Sequence, residues 1–486
     1  MTQPTPRLDD TDTDVPSAEA MGLPLIGTIP AYSDRSEHFA RYAELRGSGA
    51  VEVPPHLLGA RERRLHIRNT LLEDHAVRLH DSPEAVEGKF AILAASAFSF
   101  FRGTALLYYR DHAGVDGHLP VVFSIGDVHP ENFGVMPGAD GRAFFAANDF
   151  DEAWVAPFTY DVHRGAVGFA MAGEQAGAKP KARRALVRTW AQAYVEALTR
   201  FALDDSESSH RVTADNAPAV LAKTFRKAER SRGDFLAKRV DLDAGRFIAA
   251  DRIEPRSDLV EPFREPVAAY AQSLASAAST RALGTPGSFV PVSRPEGFFT
   301  VRDVALRHGS GTASQGLGRY WVLLEGWGGQ DMVIIEAKLS RRSALYGLVP
   351  AHGFAEKSPA ERILYAHNEF LADGDPLYGA VNVGDNSYLV RERSPQKVNV
   401  EVAAFGADEL HDYARVCAQA LAQLHARSDF YAVDGDAREA EHRILAAVHT
   451  DVFLADVLEF VEESVARIHT DHRLFREDLE RGAFSV

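Results

Sequence analysis

Two spacings of apolar residues alternate along this chain. Short runs rich in Val, Ile, Phe and Ala, at 119–125 and 143–147, have the length and composition of buried strands. Similar runs at 301–306, 319–326, 332–338 and 386–393 fall together past the midpoint. Elsewhere the intervals are three and four, the mark of helices. Val187, Trp190, Tyr194 and Leu198 share one helical face, and Tyr413, Val416, Cys417, Ala420, Leu421 and Leu424 share another. The Ala-rich run 89–101 predicts a buried helix. Two more helices are predicted at 358–373, with Pro359 in its first turn, and at 446–468. The pattern predicts an α+β fold in four parts. Residues 1–35 are polar, carry proline and lack a period, which predicts a loosely attached tail. Residues 36–285 predict a helical large lobe, and 286–400 a small β-rich lobe behind a Pro-, Ser- and Gly-containing connector. Residues 401–486 predict helices that return to the large lobe.

Composition narrows the function classes. The net charge of −16 over 486 residues argues against an extended nucleic-acid surface. The single cysteine, Cys417, excludes an intrachain disulfide, sits on an apolar helical face and reads as core. It points to a reducing compartment, and the cytoplasm is the expected location. No apolar stretch approaches the roughly 20 residues needed to span a bilayer, and 1–15 has no hydrophobic signal region. No membrane or nucleic-acid partner is expected. Two basic clusters stand out in an acidic chain: Arg61, Arg63, Arg64 and Arg68, and the stretch from Lys223 to Arg239. Solvated helix faces are the ordinary reading; for the second cluster the alternative is a site for an anionic substrate.

Chemistry concentrates where the two short strands end. The first leads into Gly126-Asp127-Val128-His129-Pro130-Glu131-Asn132-Phe133-Gly134, the second into Asn148-Asp149-Phe150-Asp151-Glu152-Ala153. Asp127 and Asn132 lie five apart, the spacing of base and amide metal ligand in a kinase catalytic loop, and Asp149-Phe150 follows where a kinase keeps its metal-binding Asp. Phosphoryl transfer needs this set: one carboxylate takes the proton of an attacking hydroxyl, while a second carboxylate and a neutral amide oxygen hold magnesium. A single Asp of this kind is more often a turn residue or helix cap; the ordered set favours an active site.

These motifs resemble the aminoglycoside phosphotransferases and choline kinases. More closely, Phe101-Arg102-Gly103-Thr104-Ala105, the two acidic stretches and Tyr160-Asp161-Val162-His163-Arg164 together resemble an uncharacterised bacterial family, domain-of-unknown-function family two-two-five-two, over about 89–429. The phosphotransferase resemblance implies that Asp161 opens a helix and hydrogen-bonds the catalytic-loop backbone. It also implies that a Leu-His helix, here Leu424-His425, precedes the catalytic loop.

Further along, 309–318 holds Gly309, Gly311, Ser314, Gly316 and Gly318 between two strands. Glycine lets a backbone approach a triphosphate closely. The strand 332–338 ends at Lys338, where a kinase small lobe holds the α- and β-phosphates; the alternative is a snorkelling edge lysine. Kinases place a Glu on the next helix to pair with that Lys, and Glu361 and Glu369 are both available. The family's acidic positions after the Lys and in mid-helix hold Leu339 and Tyr365 here, a departure from that pattern.

Catalytic loop and metal segment thus come first, glycine loop and Lys next, and the Leu-His helix last. Read in a circle this is the kinase order, and it implies a bilobal, protein-kinase-like, circularly permuted fold. The expectation is an ATP- and magnesium-dependent phosphotransferase acting on a small-molecule acceptor. Asp127 is the base, His129 braces the loop, Asn132 and Asp149 hold the metal with help from Asp151, and Lys338 with the 309–318 loop holds the nucleotide. Arg102, at the end of an apolar run, pairs with a phosphate or an active-site carboxylate, or makes a structural ion pair. Two rivals remain: a dinuclear metal phosphoesterase built from Asp127, His129, Asn132 and Asp149, and a non-catalytic nucleotide-binding protein that keeps the fold.

Overall fold

The computed structural model describes residues 35–48, 54–81, 83–281, 294–308, 318–349, 357–371, 374–429 and 439–484. Most of the glycine-rich stretch, with Gly309, Gly311, Ser314 and Gly316, lies outside them, as do the tail through residue 34 and the connector 286–293. The fold is α+β.

The large lobe forms around the helix Phe158–Gln175, which is apolar on nearly every side and therefore buried. Pro180–Asp204 crosses it so closely that a Cβ on Gly165 would sit 2.3 Å from the Trp190 ring. Trp190 keeps its indole N–H satisfied by donating to the Val162 carbonyl at 3.0 Å. Ala407–Ala426 and the long Thr450–Glu480 helix close the bundle, so the end of the chain packs on its first half. Two small antiparallel assemblies lie against these helices. Val121–Ser124 pairs with Trp154–Pro157. A four-stranded sheet has the order Val398–Asn399, Phe133–Met136, Phe144–Ala147, Val212–Thr213.

The small lobe is a six-stranded antiparallel sheet. Its order is Gly379–Val383, Asn386–Glu392, Val333–Leu339, Arg319–Leu324, Val301–Arg307, Ile253–Pro255. Counted from Val301, the strands stand in the order first, second, third, fifth, fourth, and the helix Pro359–Phe370 follows the third. Every residue of Val333–Leu339 is buried, yet the pleat still sorts them. Val333, Ile335 and Ala337 join Tyr320, Tyr388 and the helix Val260–Arg281 in one core. Glu336 and Lys338 point to the other face, toward the large lobe.

Several sequence expectations change. Ile253–Pro255 pairs with Val301–Arg307, and Val260–Arg281 packs on the same sheet. The small lobe therefore begins well before residue 286. The predicted helix 89–101 breaks at Ser96, whose hydroxyl accepts from the Ser99 N–H at 3.0 Å and starts a new helix, Ala97–Gly103. The last helix begins at Thr450, and Ala446 belongs to a separate short one, Ala440–Ala447. The basic face at 61–68 is not simply solvated. Arg63 is buried, with Asp111 at 2.6 Å and Asp471 at 2.5 Å, because a guanidinium taken out of water needs carboxylates on its forks. No described helix is long and apolar enough to cross a membrane.

Candidate functional site

The strand Val121–Ser124 delivers its loop at one fixed place. Gly126 has φ +81° and passes so near the Glu152 carbonyl that a Cβ would lie 2.1 Å from that oxygen. Glycine alone fits both conditions. The crossing locks the loop 126–134 onto the acidic segment 149–152. Asp161, in the first turn of its helix, accepts from the backbone N–H of Ile125 at 2.6 Å and of Gly126 at 3.0 Å. His425 sits 3.3 Å from the same carboxylate, and Tyr194 bonds its other ring nitrogen at 2.7 Å. Ser428, two residues past the helix Ala407–Ala426 that carries His425, accepts from the Phe123 N–H at 3.0 Å.

Within the loop, Asp127 meets the cleft with one side and Arg164 with the other. Arg164 contacts its Oδ1 through Nη2 at 2.6 Å and Nε at 2.8 Å. The guanidinium lies over the rings of Phe101 and Tyr108 and donates to the Phe101 carbonyl at 3.1 Å. Burial pushes the Asp127 carboxyl above the ordinary value, with Arg164 opposing the rise. His129 Nδ1 accepts from the Glu131 N–H at 3.2 Å, capping the turn Pro130–Asn132, and its Nε2 is 3.8 Å from Asp127. Burial and the charges of Arg102 and Arg164 push that imidazole well down, so it stays neutral. Asn132 donates its amide N–H to the Asp127 carbonyl at 2.7 Å. Its Oδ1 is left without a protein partner among the described residues.

The acidic segment faces this loop. Burial and the neighbouring Asp151 charge push the Asp149 carboxyl up, against Lys338, Lys397 and Arg391. Asp151 is half-buried, but the Lys338 ammonium pairs with it directly and holds it well below the usual carboxylate range. A residue of the small-lobe sheet thus meets a residue 187 positions earlier in the chain.

The Glu361 expectation does not hold. Its carboxylate accepts from the Ser358 N–H at 2.9 Å and caps its own helix in a capping box, exposed at the helix start. Arg362 takes the inward position instead. It is buried and donates to the carbonyls of Asp151 and Ala153, both at 2.7 Å, and of Arg341 at 3.0 Å. The helix after the lysine strand therefore grips the acidic segment by its backbone, not the lysine by a carboxylate.

Arg102 lines the same cleft and pairs with Glu131 of the loop at 2.8 Å. Gly318 accepts from the Leu339 N–H at 2.9 Å, closing the hairpin register beside Lys338. Two participants are missed by sequence reasoning. Arg164 closes the Tyr160–Arg164 motif, and its signal is a cation inside an otherwise apolar helix. Glu336 is a carboxylate in a buried strand, two positions before Lys338 and so on the same face. Arg391 bonds it at 2.9 Å, Arg319 lies at 3.4 Å, and the Trp321 N–H donates to it at 3.2 Å.

Arg102, Asp127, Asn132, Asp149, Glu336 and Lys338 line one cleft of about 1670 Å³, solvent-open space included, between sheet and bundle. Ten of the described lining side chains are Lys or Arg and four are Asp or Glu, so the cavity is basic inside an acidic chain. Phe235, Pro395 and Val398 are the apolar residues among them. The described residues hold one trio of acid or histidine groups with ligand atoms within 4.8 Å of one another, namely Glu439, Glu441 and His442, and none of these lines the cleft.

Residues 81–478 match the family described as "Uncharacterized protein conserved in bacteria (DUF2252)". The chain belongs to this family. No curated protein and no solved structure matches it. In this DUF2252 chain, Arg102, Asp127, Asp149, Arg164, Glu336 and Lys338 all fall inside the matched span.

Proposed function

We propose that the chain is a kinase-like phosphotransferase on a circularly permuted, protein-kinase-like fold, moving the γ-phosphoryl group of ATP to a hydroxyl of a small molecule. The observation that carries this is the meeting of Lys338 with Asp151 beside Asp149, across the cleft from Asp127. A lysine on the third strand of an antiparallel sheet, followed by one helix and facing an Asp-Phe segment and an Asp-x-x-x-x-Asn loop, is the kinase arrangement. The Ser428–Phe123 bond supports the permutation, because it sets the end of the Leu-His helix beside the strand that enters the loop. Joining those two points would restore the usual chain order.

Each residue then has one task. Lys338 and Arg319 bind phosphate oxygens. Asp127, oriented by Arg164 and raised by burial, accepts the proton of the acceptor hydroxyl. That oxygen bonds to the γ-phosphorus as the bond to the β–γ bridging oxygen breaks, and ADP leaves with the electron pair. Asn132 Oδ1 and the Asp149 and Asp151 carboxylates are hard-oxygen donors of the kind magnesium takes, and they are the residues that would hold it. When bound, magnesium would neutralise charge on the phosphate oxygens. The phosphoesterase alternative gains no support, since His129 is the sole histidine lining the cleft among the described residues and stays engaged in its turn.

Thermal unfolding with magnesium and a non-hydrolysable ATP analogue tests the reading. Ligand at a hundred times its dissociation constant adds about 2.7 kcal/mol to stability. The wild type should show the corresponding rise and Lys338→Met should lose most of it. Equal curves with and without nucleotide in the wild type overturn the proposal.

A further inference from the structure

The cleft carries more cationic charge than a magnesium–nucleotide complex calls for. Near the acidic segment the charges are matched: Lys338 with Asp151, Arg102 with Glu131, Arg319 and Arg391 with Glu336. Beyond Glu336, along one wall, they are not. Arg230, Arg239 and Arg307 have no carboxylate within ion-pair distance among the described residues, and Arg393 reaches Glu336 only at 3.9 Å.

This wall is built, not a loose solvated face. The Arg239 guanidinium lies 3.9 Å from the centroid of Phe235, and its Nη1 donates to the Phe235 carbonyl at 2.8 Å. Arg307 and Arg393 both lie over the Trp321 ring, at 5.3 and 5.5 Å. Arg307 Nη1 donates to the Arg252 and His308 carbonyls at 3.0 and 2.5 Å. The Arg393 Nε is buried without a hydrogen-bond partner. Aromatic stacking fixes a guanidinium while leaving its edge for an anion. The strain is electrostatic as well. Burial and the other cations push Arg239, Arg307 and Arg393 below the ordinary arginine value, and Lys397 well below that of lysine. Like charges crowded together at partly buried positions are stabilised when an anion enters.

We infer that this wall is the acceptor subsite, and that the acceptor is a small hydroxyl compound already carrying a phosphate group. The identification as an acceptor rests on the phosphotransferase reading; the anion subsite stands on the wall itself. A polyanionic macromolecule fits less well, because the chain's net charge of −16 repels it at long range while the basic residues face a cavity. Cationic acceptors, such as aminoglycosides, are opposed by the same wall.

The test is thermal unfolding of the full chain with small probes, with and without the magnesium–ATP analogue. The probes are glycerol 3-phosphate, glucose 6-phosphate and fructose 1,6-bisphosphate, their unphosphorylated parents, and the aminoglycoside kanamycin. The phosphorylated probes should raise the midpoint, and the parents and kanamycin should not. Arg239→Ala/Arg307→Ala should raise the half-saturating probe concentration roughly tenfold, the loss of about one good charged contact, while keeping the nucleotide shift. Arg239→Glu alone, at a partly exposed position, gives the same reading if the double variant folds poorly. The inference is overturned if no phosphorylated probe shifts the wild type, or if parents or kanamycin bind as well. Equal response of wild type and wall variants, or joint loss of nucleotide and probe binding, overturns it too. A wild type that ignores the nucleotide but binds phosphorylated probes through the wall removes the phosphotransferase reading alone.

Discussion

His425 stands 3.3 Å from Asp161, across 264 residues of chain. Tyr194 occupies its Nδ1 at 2.7 Å, and the acceptor at Nε2 is a carboxylate. The ring therefore carries its proton on Nε2 and donates to Asp161, while Tyr194 donates to Nδ1. Asp161 in turn holds the backbone of Ile125 and Gly126. A helix near the end of the chain thus fixes the entry to a loop in its first half.

This relay predicts coupled stability losses. Hydrogen bonds to charged groups contribute about 1.5–3 kcal/mol each, so Asp161→Ala should lower stability by about 3 kcal/mol or more and His425→Ala by less. The two losses should fall short of additive by about 1 kcal/mol, as for residues in one network. Urea unfolding of the two single variants and the double variant measures this. Strict additivity would mean that His425 acts without Asp161.

Asp127→Asn should abolish turnover and spare the nucleotide. A general base contributes about 10²–10⁴ in rate, and the asparagine amide oxygen can still accept from Arg164, which limits damage to the loop. Phosphoryl transfer and binding of the magnesium–ATP analogue should be compared in one preparation. An equal loss of affinity would show that Asp127 is a metal ligand.

Arg102 gives a sharper contrast. Its pair with Glu131 is partly exposed, at 20% and 34% for the two side chains, and such pairs contribute about 0–1 kcal/mol. Arg102→Lys should leave the melting temperature nearly unchanged. It should reduce kcat/KM by roughly tenfold or more if the fork contacts a phosphate, because lysine cannot reproduce a bidentate contact. Stability and activity falling in proportion would make the residue structural.

Much of this was legible in the sequence, and the omissions share a cause. The strand–loop units before Asp127 and Asp149 announce themselves by short apolar runs ending in acid, and Lys338 by its place at the end of such a run. Glu361 misled because a carboxylate three residues after Ser358 serves its own helix first, an interaction local in sequence. Arg164, Arg362 and the wall of Arg239, Arg307 and Arg393 were not legible as a set. Their partners lie on other elements, and periodicity reports only which face of one element is buried. The early start of the small lobe was missed for the same reason, since Ile253–Pro255 is only three residues long and is defined by its pairing with Val301–Arg307.

Glu336 supplies the last prediction, because its pH dependence has a definite sign. Burial alone would raise its carboxyl; Arg393, Arg391 and Arg319 override this and hold it well below the ordinary 4.5. A folded-state value below the unfolded one means that the ionised group stabilises the fold above the unfolded value. That contribution is lost as pH falls from about 4.5 toward the folded value. At neutral pH, Glu336→Gln leaves the surrounding arginines without their carboxylate, and breaking such a buried pair costs about 3–5 kcal/mol. The gap between wild type and Glu336→Gln in urea midpoint should therefore be constant at pH 6–7 and shrink below pH about 4.5. Inorganic tripolyphosphate should restore part of the variant's stability at neutral pH, since an anion in the cleft replaces some of the lost negative charge. A gap that stays the same down to acid unfolding would show that Glu336 holds its neighbours by packing and hydrogen bonding rather than by charge.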